Sequence, residues 1–192
     1  MRVPGGVTLG LIAGGRATRL GGIDKAWLLR GGVSQAQRWQ QRFAPEVDAI
    51  LASSNGDAAP FAALGIPVVA DQVRDAGPIA GLDALAAACA TQWLRTVPVD
   101  LVGVNVCLLP SLLSAAGDTG SFARDGDGPQ PLVALWPVAH LRDAARASLQ
   151  DGAFAVHALQ ARMGMHEVRF DGVRYGNLNT PADLHAAGVG AP

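Results

Sequence analysis

A short segment near the N-terminus carries the residue types that bind a triphosphate. Residues 11–25 read L-I-A-G-G-R-A-T-R-L-G-G-I-D-K and follow an apolar stretch typical of a strand. The glycines let backbone N–H groups come close to phosphate oxygens, and the cationic side chains neutralise the charge of those oxygens. The sequence therefore predicts a strand followed by a phosphate-binding loop.

This loop does not match the two best-known phosphate-binding patterns. The Walker A pattern requires Ser or Thr directly after its lysine, whereas Lys25 is followed by Ala26 and is separated from Gly22 by two residues. The dinucleotide pattern G-x-G-x-x-G is absent from the loop as well. A strand end that carries Arg16, Arg19 and Lys25 remains a strong indication of phosphate binding.

Asp100 is the candidate metal ligand. It ends the apolar stretch W-L-R-T-V-P-V-D, where a carboxylate is costly to bury unless a cation accompanies it. Mg²⁺ typically takes one or two protein carboxylates together with phosphate oxygens and waters, so Asp100 and a bound triphosphate could share Mg²⁺. The alternative is an aspartate that merely caps a turn.

The elements that must position these residues alternate between strands and helices. This alternation predicts a single α/β domain over residues 1–192, a doubly wound and mostly parallel sheet with helices on both faces. Residues 117–128 are polar and glycine-rich, and we predict a loop there. The predicted strands are 7–13, 47–52, 67–70, 93–99, 132–136 and 165–170, and the predicted helices are 34–43, 77–90, 110–116, 140–150, 154–162 and 182–187.

Polar residues follow four successive predicted strands. The glycine-rich loop follows the first strand, Ser53 and Asn55 follow the second, Asp71 follows the third and Asp100 follows the fourth. Ligands of doubly wound sheets bind outside the carboxyl ends of the strands, at the point where the strand order reverses. We therefore expect these residues to form one site.

Composition excludes several other classes of protein. The chain is 49% hydrophobic and only 16% charged, with a net charge of −1, so it lacks the broad basic face of a nucleic-acid-binding protein. Cys89 and Cys107 have no metal-binding spacing, and the four histidines are dispersed. Neither a membrane-spanning stretch nor a signal peptide is recognisable, which leads us to expect a cytoplasmic protein.

The loop also resembles a known family. The order L-x-A-G-G-x-x-x-R-[ML]-G-x-x-K is similar to the opening signature of nucleotide-sugar-type nucleotidyltransferases, and A-G-G followed by G-x-D-K resembles the molybdenum cofactor guanylyltransferases. Cytidylyl-transferring relatives read A-A-G where this chain has A-G-G. The resemblance implies a Rossmann-like nucleotidyltransferase fold and Mg²⁺-dependent transfer of GMP from GTP to the phosphate of molybdopterin, with release of pyrophosphate.

Two further motifs extend the resemblance over nearly the whole chain. Residues 71–81, D-Q-V-R-D-A-G-P-I-A-G, resemble the second motif of the family, and residues 176–181, G-N-L-N-T-P, resemble its C-terminal N-x-N-T-P motif. Arg19 and Lys25 are then the catalytic cations. The implied nucleotide contacts are Leu11, Ala13, Gly14, Gly15, Lys25, Asn55, Asp71 and Asp100, the implied acceptor contacts are Gly81, Asn177 and Asn179, and Asp100 is the implied metal ligand.

The sequence departs from the family pattern in three places. The segment after Asp100 is long and apolar, Ala153 and Phe154 stand where relatives carry arginine, and Asn55 is not followed by the usual arginine. Asn105 is a candidate second ligand beside Asp100. Three arginines are candidates to replace the lost cations: Arg162, Arg169 and Arg174.

Two alternatives stay open. One is nucleotidyl transfer from CTP, or to a sugar phosphate. The other is a catalytically weakened relative that binds nucleotide or pterin and serves as a carrier or assembly partner for a molybdoenzyme or a cofactor-insertion protein.

Overall fold

A central seven-stranded sheet organises the chain in a computed structural model, which describes residues 3–14, 24–103 and 107–190. The strand order is β5-β4-β1-β6-β8-β7-β9. The strands are β1 (Val7–Ile12), β4 (Ala49–Ser53), β5 (Val68–Val69), β6 (Trp93–Pro98), β7 (Ser121–Asp125), β8 (Gly128–Pro137) and β9 (His166–Arg169), and β2 (Leu29–Arg30) and β3 (Val33–Ser34) form a separate short hairpin.

The sheet is parallel except for β8. β1 pairs in parallel with β4 on one side and with β6 on the other, while β8 runs antiparallel to both β6 and β7. β7 and β9 are parallel to each other, so six strands point in one direction. All six residues of β1 are buried, as expected for a central strand covered on both faces.

Helices cover both faces of the sheet, as the alternation of elements predicts. The inward-facing side chains form two cores, one under α1 and α4 and one under α3, α5 and α6. The helices are α1 (Gln35–Phe43), α2 (Ala59–Ala63), α3 (Pro78–Ala88), α4 (Leu108–Ala115), α5 (Val138–Gln150), α6 (Val156–Met163) and α7 (Pro181–Ala186). None of the helices in the described ranges has the length and hydrophobicity needed to cross a bilayer.

Local signals fix several helix ends. Ser34 caps α1, since its Oγ accepts a hydrogen bond from the Gln37 N–H at 3.3 Å. α3 begins with Pro78 after Gly77, whose φ of 61° is accessible to glycine at little cost. Thr180 and Asp183 form a capping box at the start of α7.

The predicted loop over residues 117–128 is wrong. It contains β7, which pairs with β8 on one side and with β9 on the other. The glycines Gly120 and Gly128 bracket this strand, with φ of 89° and 126°, and do not lie within it. Burial alternates along Ser121–Asp125, so the polar side chains of a half-buried strand produced the loop-like composition.

Candidate functional site

The polar residues that follow the strands share one edge of the sheet. β1, β4, β5 and β6 are parallel, so their carboxyl ends lie side by side. The chain leaves β1 for β4 and β5 on one side and returns to β6 on the other, which places the reversal of strand order between β1 and β6. This edge is where an α/β sheet of this kind binds ligands.

Lys25, Asp100 and Asn179 meet at this edge. The Lys25 ammonium lies 2.8 Å from Asp100 Oδ2 and 2.6 Å from Asn179 Oδ1. The side chains of Lys25 and Asp100 are 22% and 21% exposed, so solvent and ligand can still reach them. Lys25 is the sole lysine of the sequence, and the fold has brought it to the predicted metal ligand.

A short turn positions Lys25. The 3₁₀ helix Lys25–Trp27 begins at this residue, and Asp24 caps it because its Oδ1 accepts a hydrogen bond from Ala26 N–H at 2.9 Å. The next residue, Ala26, is fully buried in the core. Lys25 is therefore attached to a fixed piece of backbone.

Asn179 reaches the site through a segment that runs along the carboxyl edge, which we call the edge segment (residues 173–179). The Tyr175 N–H donates to Asp125 Oδ2 at 2.6 Å, and the Gly176 carbonyl accepts from Val102 N–H at 2.8 Å. Near its end, the Leu178 N–H donates to the Asp100 carbonyl at 2.9 Å. The edge segment thus connects the end of β7 to the lysine–aspartate pair.

Asp125 anchors the start of the edge segment. Burial alone would raise the pKa of Asp125, but N–H groups of Tyr175, Asp127 and Gly128 and the Gln130 amide donate to its carboxylate and together hold that pKa below its ordinary value. Asp125 lies inside the wrongly predicted loop, so sequence reasoning missed it. The sequence D-G-D-G at residues 125–128, typical of a turn, was the only indication of a structural role for Asp125.

Asp71, Asn55 and Ser53 form a second cluster at the ends of β4 and β5. Asn55 Nδ2 donates to Asp71 Oδ2 at 2.8 Å, and Asn55 Oδ1 accepts from the Asp71 N–H at 3.0 Å. Ser53 Oγ donates to Asp71 Oδ1 at 3.3 Å. The side chain of Asp71 is thereby held at the carboxyl edge, as predicted from the positions of the strands.

Gly81 lies beside this second cluster. A Cβ atom at Gly81 would come within 2.6 Å of Ser53 Oγ and 3.6 Å of Asp71 Oδ1. The structure therefore places Gly81 next to predicted nucleotide contacts, whereas the resemblance implied a contact with the acceptor. The side chain of Asn177 makes no hydrogen bond within the described ranges, and its backbone forms a bridge with Leu101.

The remaining predicted residues divide between the core, the edge and the undescribed part of the chain. The Leu11 side chain is completely buried, so this prediction can concern only its main chain. Ala13 N–H donates to the Ser53 carbonyl at 2.9 Å, and Gly14 follows it at the edge. Gly15, Arg19 and Asn105 lie outside the described residues.

The donor set near Lys25 suits a hard cation. Two oxygens, Asp100 Oδ2 and Asn179 Oδ1, converge on one cationic atom, the Lys25 Nζ. Nowhere in the described ranges do three or more His, Cys, Asp or Glu residues form a metal-binding group. A cation here would depend on a ligand for most of its coordination, which is how Mg²⁺ binds with nucleotide phosphates.

The fold and this edge together define a class of protein, an α/β nucleotide-binding protein whose cation and carboxylate meet at the point of strand reversal. The comparisons specify the family. Residues 10–166 match the MobA-like NTP transferase domain, and the chain belongs to that family.

Similar sequences and structures support this assignment. A molybdenum cofactor guanylyltransferase from Cereibacter sphaeroides is 39% identical over 92% of this chain and 93% of its own, and one from Ralstonia nicotianae is 36% identical over 91% and 92%. The molybdopterin-guanine dinucleotide biosynthesis protein A of Archaeoglobus fulgidus superposes with a TM-score of 0.71 at 19% identity, over 94% of this chain and 96% of that one. A nucleotidyl transferase from Methanothermobacter gives 0.75 at 18% identity, over 94% and 95%. The structural likenesses confirm the nucleotidyltransferase fold.

Proposed function

We propose that this protein transfers GMP from GTP to the phosphate of molybdopterin. The observation that carries the proposal is the meeting of Lys25, Asp100 and Asn179 at the point of strand reversal. Relatives at 34–39% identity that carry the name molybdenum cofactor guanylyltransferase support the choice of donor and acceptor.

In this reaction an oxygen of the acceptor phosphate forms a bond to the α-phosphorus of GTP. The bond between that phosphorus and the oxygen bridging to the β-phosphate breaks, and pyrophosphate leaves with its electron pair. A phosphate monoester has a second pKa of about 6, so the acceptor is already largely dianionic at neutral pH. The protein therefore needs to supply alignment and charge neutralisation, and it needs no general base.

Lys25 supplies positive charge where the triphosphate would lie. Its ammonium is partly exposed and can exchange Asp100 and Asn179 for phosphate oxygens without a large movement. Arg19 is the second proposed cation, on sequence grounds, because it lies outside the described residues. Together they would stabilise the charge that develops on the leaving pyrophosphate.

Asp100 is the proposed ligand for Mg²⁺, with Asn179 beside it. When bound, the metal would neutralise the phosphate oxygens of GTP and so reduce their repulsion of the anionic acceptor. Asp100 and Asn179 would hold the divalent cation, and the Lys25 ammonium would bind phosphate. The role we assign to the short Lys25–Asp100 ion pair is to hold these two side chains together at the carboxyl edge.

The second cluster is the proposed nucleotide-binding part, with Asn55 and Asp71 beside Ala13 and Gly14. Asn177 and Asn179 are the proposed acceptor contacts, as the resemblance implies. We place the reaction in the cytoplasm, where GTP is supplied. The product would pass to a molybdoenzyme or to a cofactor-insertion protein.

The test is a matrix of nucleotides and acceptors. Purified protein is incubated with GTP, CTP, ATP or UTP, with and without Mg²⁺, and with molybdopterin or a sugar 1-phosphate. We expect the guanine dinucleotide and pyrophosphate only from GTP, molybdopterin and Mg²⁺ together. Transfer from CTP or to the sugar phosphate would replace this proposal with another transferase, and tight GTP binding without turnover would favour a carrier.

A further inference from the structure

A polar cavity lies at the carboxyl edge, away from the lysine–aspartate pair. It encloses about 390 Å³ between the turn joining β7 to β8 and the end of β9. Five charged residues line it, Arg124, Asp125, Asp127, Arg169 and Asp171. β7 and β9 point the same way as β6, so this cavity opens at the same edge of the sheet as Asp100.

Two arginines lie directly side by side at this cavity. Arg124 on β7 and Arg169 on β9 are register partners in a parallel pair. Like charges opposite each other on neighbouring strands are destabilising. Arg124 is compensated by Glu167, with Arg124 Nε 2.6 Å from Glu167 Oε1, but Arg169 has no ion pair or side-chain hydrogen bond within the described ranges.

The acidic groups of the cavity are not equally available to a ligand. The carboxylate of Asp125 already accepts hydrogen bonds from Tyr175, Asp127 and Gln130. Asp171 is exposed, and the described residues offer its side chain no partner. Asp127 Oδ1 lies 3.7 Å from Arg174 Nε. Among the described residues, the lining charges without a partner are therefore one cation, Arg169, and one carboxylate, Asp171.

This combination fits a neutral heterocycle better than a second phosphate. A pterin edge presents a carbonyl oxygen next to ring and amino N–H groups. A guanidinium can donate to the carbonyl or stack on the ring plane, and a carboxylate can accept from the N–H groups. A phosphate would instead be repelled by Asp171.

The position of the cavity suits the end of the acceptor that is remote from its phosphate. In the sheet order β9 is three strands from β6, which corresponds to about 14 Å. An acceptor whose phosphate lies beside Asp100 would extend its fused rings in this direction. The edge segment runs along the same path, from the cavity to Asn179.

We propose that the cavity at the ends of β7 and β9 binds the pterin ring of the acceptor, through Arg169 and Asp171. This inference rests on the proposed function and assigns the part of the site that selects a pterin.

The test is steady-state kinetics of dinucleotide formation by Arg169→Gln and Asp171→Asn. Each change removes one charged hydrogen bond to the ring, so KM for molybdopterin rises about tenfold while KM for GTP is unchanged. Arg169→Lys, which keeps the charge, recovers part of the loss. Arg146→Gln and Asp143→Asn, at exposed positions on α5, are the controls with the same changes of net charge as Arg169→Gln and Asp171→Asn.

A ring-free phosphate monoester, glycerol 3-phosphate, serves as the second probe. We expect the wild type and both variants to use it equally poorly, because it has no ring to occupy the cavity. An unchanged KM for molybdopterin in Arg169→Gln and Asp171→Asn, or an equal rise in both KM values, would overturn the inference. If the wild type makes no dinucleotide, the proposed function fails, and this inference fails with it.

Discussion

At the scale of single residues, Gly81 leaves room for the hydroxyl of Ser53. Any side chain at this position of α3 would overlap Ser53 Oγ, the same hydroxyl that contacts Asp71. This close approach to Ser53 favours glycine at position 81, whereas alanine is the better residue for the helix itself. This placement beside Ser53 and Asp71 differs from the acceptor role that the resemblance implied.

Gly81→Ala tests that placement. The Ser53 hydroxyl must rotate away from Asp71, so we expect KM for GTP to rise about tenfold. The free energy of unfolding should change little, because alanine gains about 1 kcal/mol in helix propensity against the overlap. In a Ser53→Ala background the same substitution should have no further effect on KM, and a rise confined to KM for the acceptor would show that Gly81 serves the acceptor.

The buried charge of Arg95 is a second feature at this scale. Arg95 lies on β6 with no exposed surface, 3.7 Å from the Phe43 ring centre and 2.8 Å from Glu46 Oε2. Burial lowers the pKa of Arg95 to about 10, against the opposing effect of Glu46, so the group stays charged at neutral pH. Its Nε and Nη2 have no hydrogen-bond partner in the described residues.

Replacing Glu46 and replacing Arg95 should therefore lower the free energy of unfolding by different amounts. Glu46→Gln leaves a buried charge uncompensated and should lower the free energy of unfolding by about 3 kcal/mol. Arg95→Met removes the charge together with its unpaired donors and should cost clearly less. Urea unfolding of both variants compares them, and a larger loss for Arg95→Met would contradict this account of the pair.

At the scale of elements, the edge segment links the end of β7 to the lysine–aspartate pair. It has little regular structure of its own, so its position depends on contacts at Asp125, Val102 and Asp100. Asp125 is the contact with the strongest electrostatic character, because its carboxylate receives several N–H donors. A substitution at Asp125 should therefore shift the backbone of the edge segment and, with it, the position of Asn179.

Asp125→Asn should show this dependence through pH. The pKa of Asp125 is lowered in the folded protein. Its contribution to stability is therefore complete above the unfolded pKa of about 4 and is lost as pH falls through the folded pKa. The variant should be less stable by about 2 kcal/mol at pH 7 and should lose less stability on acidification. Thermal unfolding from neutral to acidic pH measures this, with the exposed Asp143→Asn as control, and parallel curves for wild type and Asp125→Asn would refute it.

The elements that the sequence predicted well are those determined locally. Helix α1 follows from Ser34 as a cap and an apolar face, and α7 follows from Thr180 and Pro181, and both agree with the structure. β7 was missed because this five-residue strand is defined by its pairing with β8 and β9, which come later in the chain. Composition over residues 117–128 carries no information about those partners.

The whole molecule assembles the candidate site from distant parts of the chain. Lys25 is 75 residues from Asp100 and 154 residues from Asn179 along the sequence. The order of strands and residue types predicted that Lys25 and Asp100 share an edge, and the resemblance supplied Asn179. The ion pair and the path of the edge segment could not be predicted, because they depend on pairing across the completed sheet.

The most direct measurement is pyrophosphate release from GTP in the presence of molybdopterin and Mg²⁺ by Lys25→Ala and Asp100→Ala. In the proposed reaction each variant loses a charge that would face the reacting phosphates, so we expect kcat/KM to fall at least about 100-fold. Arg146→Ala, which removes a remote exposed charge, should keep the wild-type rate. Wild-type rates of pyrophosphate release in both Lys25→Ala and Asp100→Ala would contradict the account.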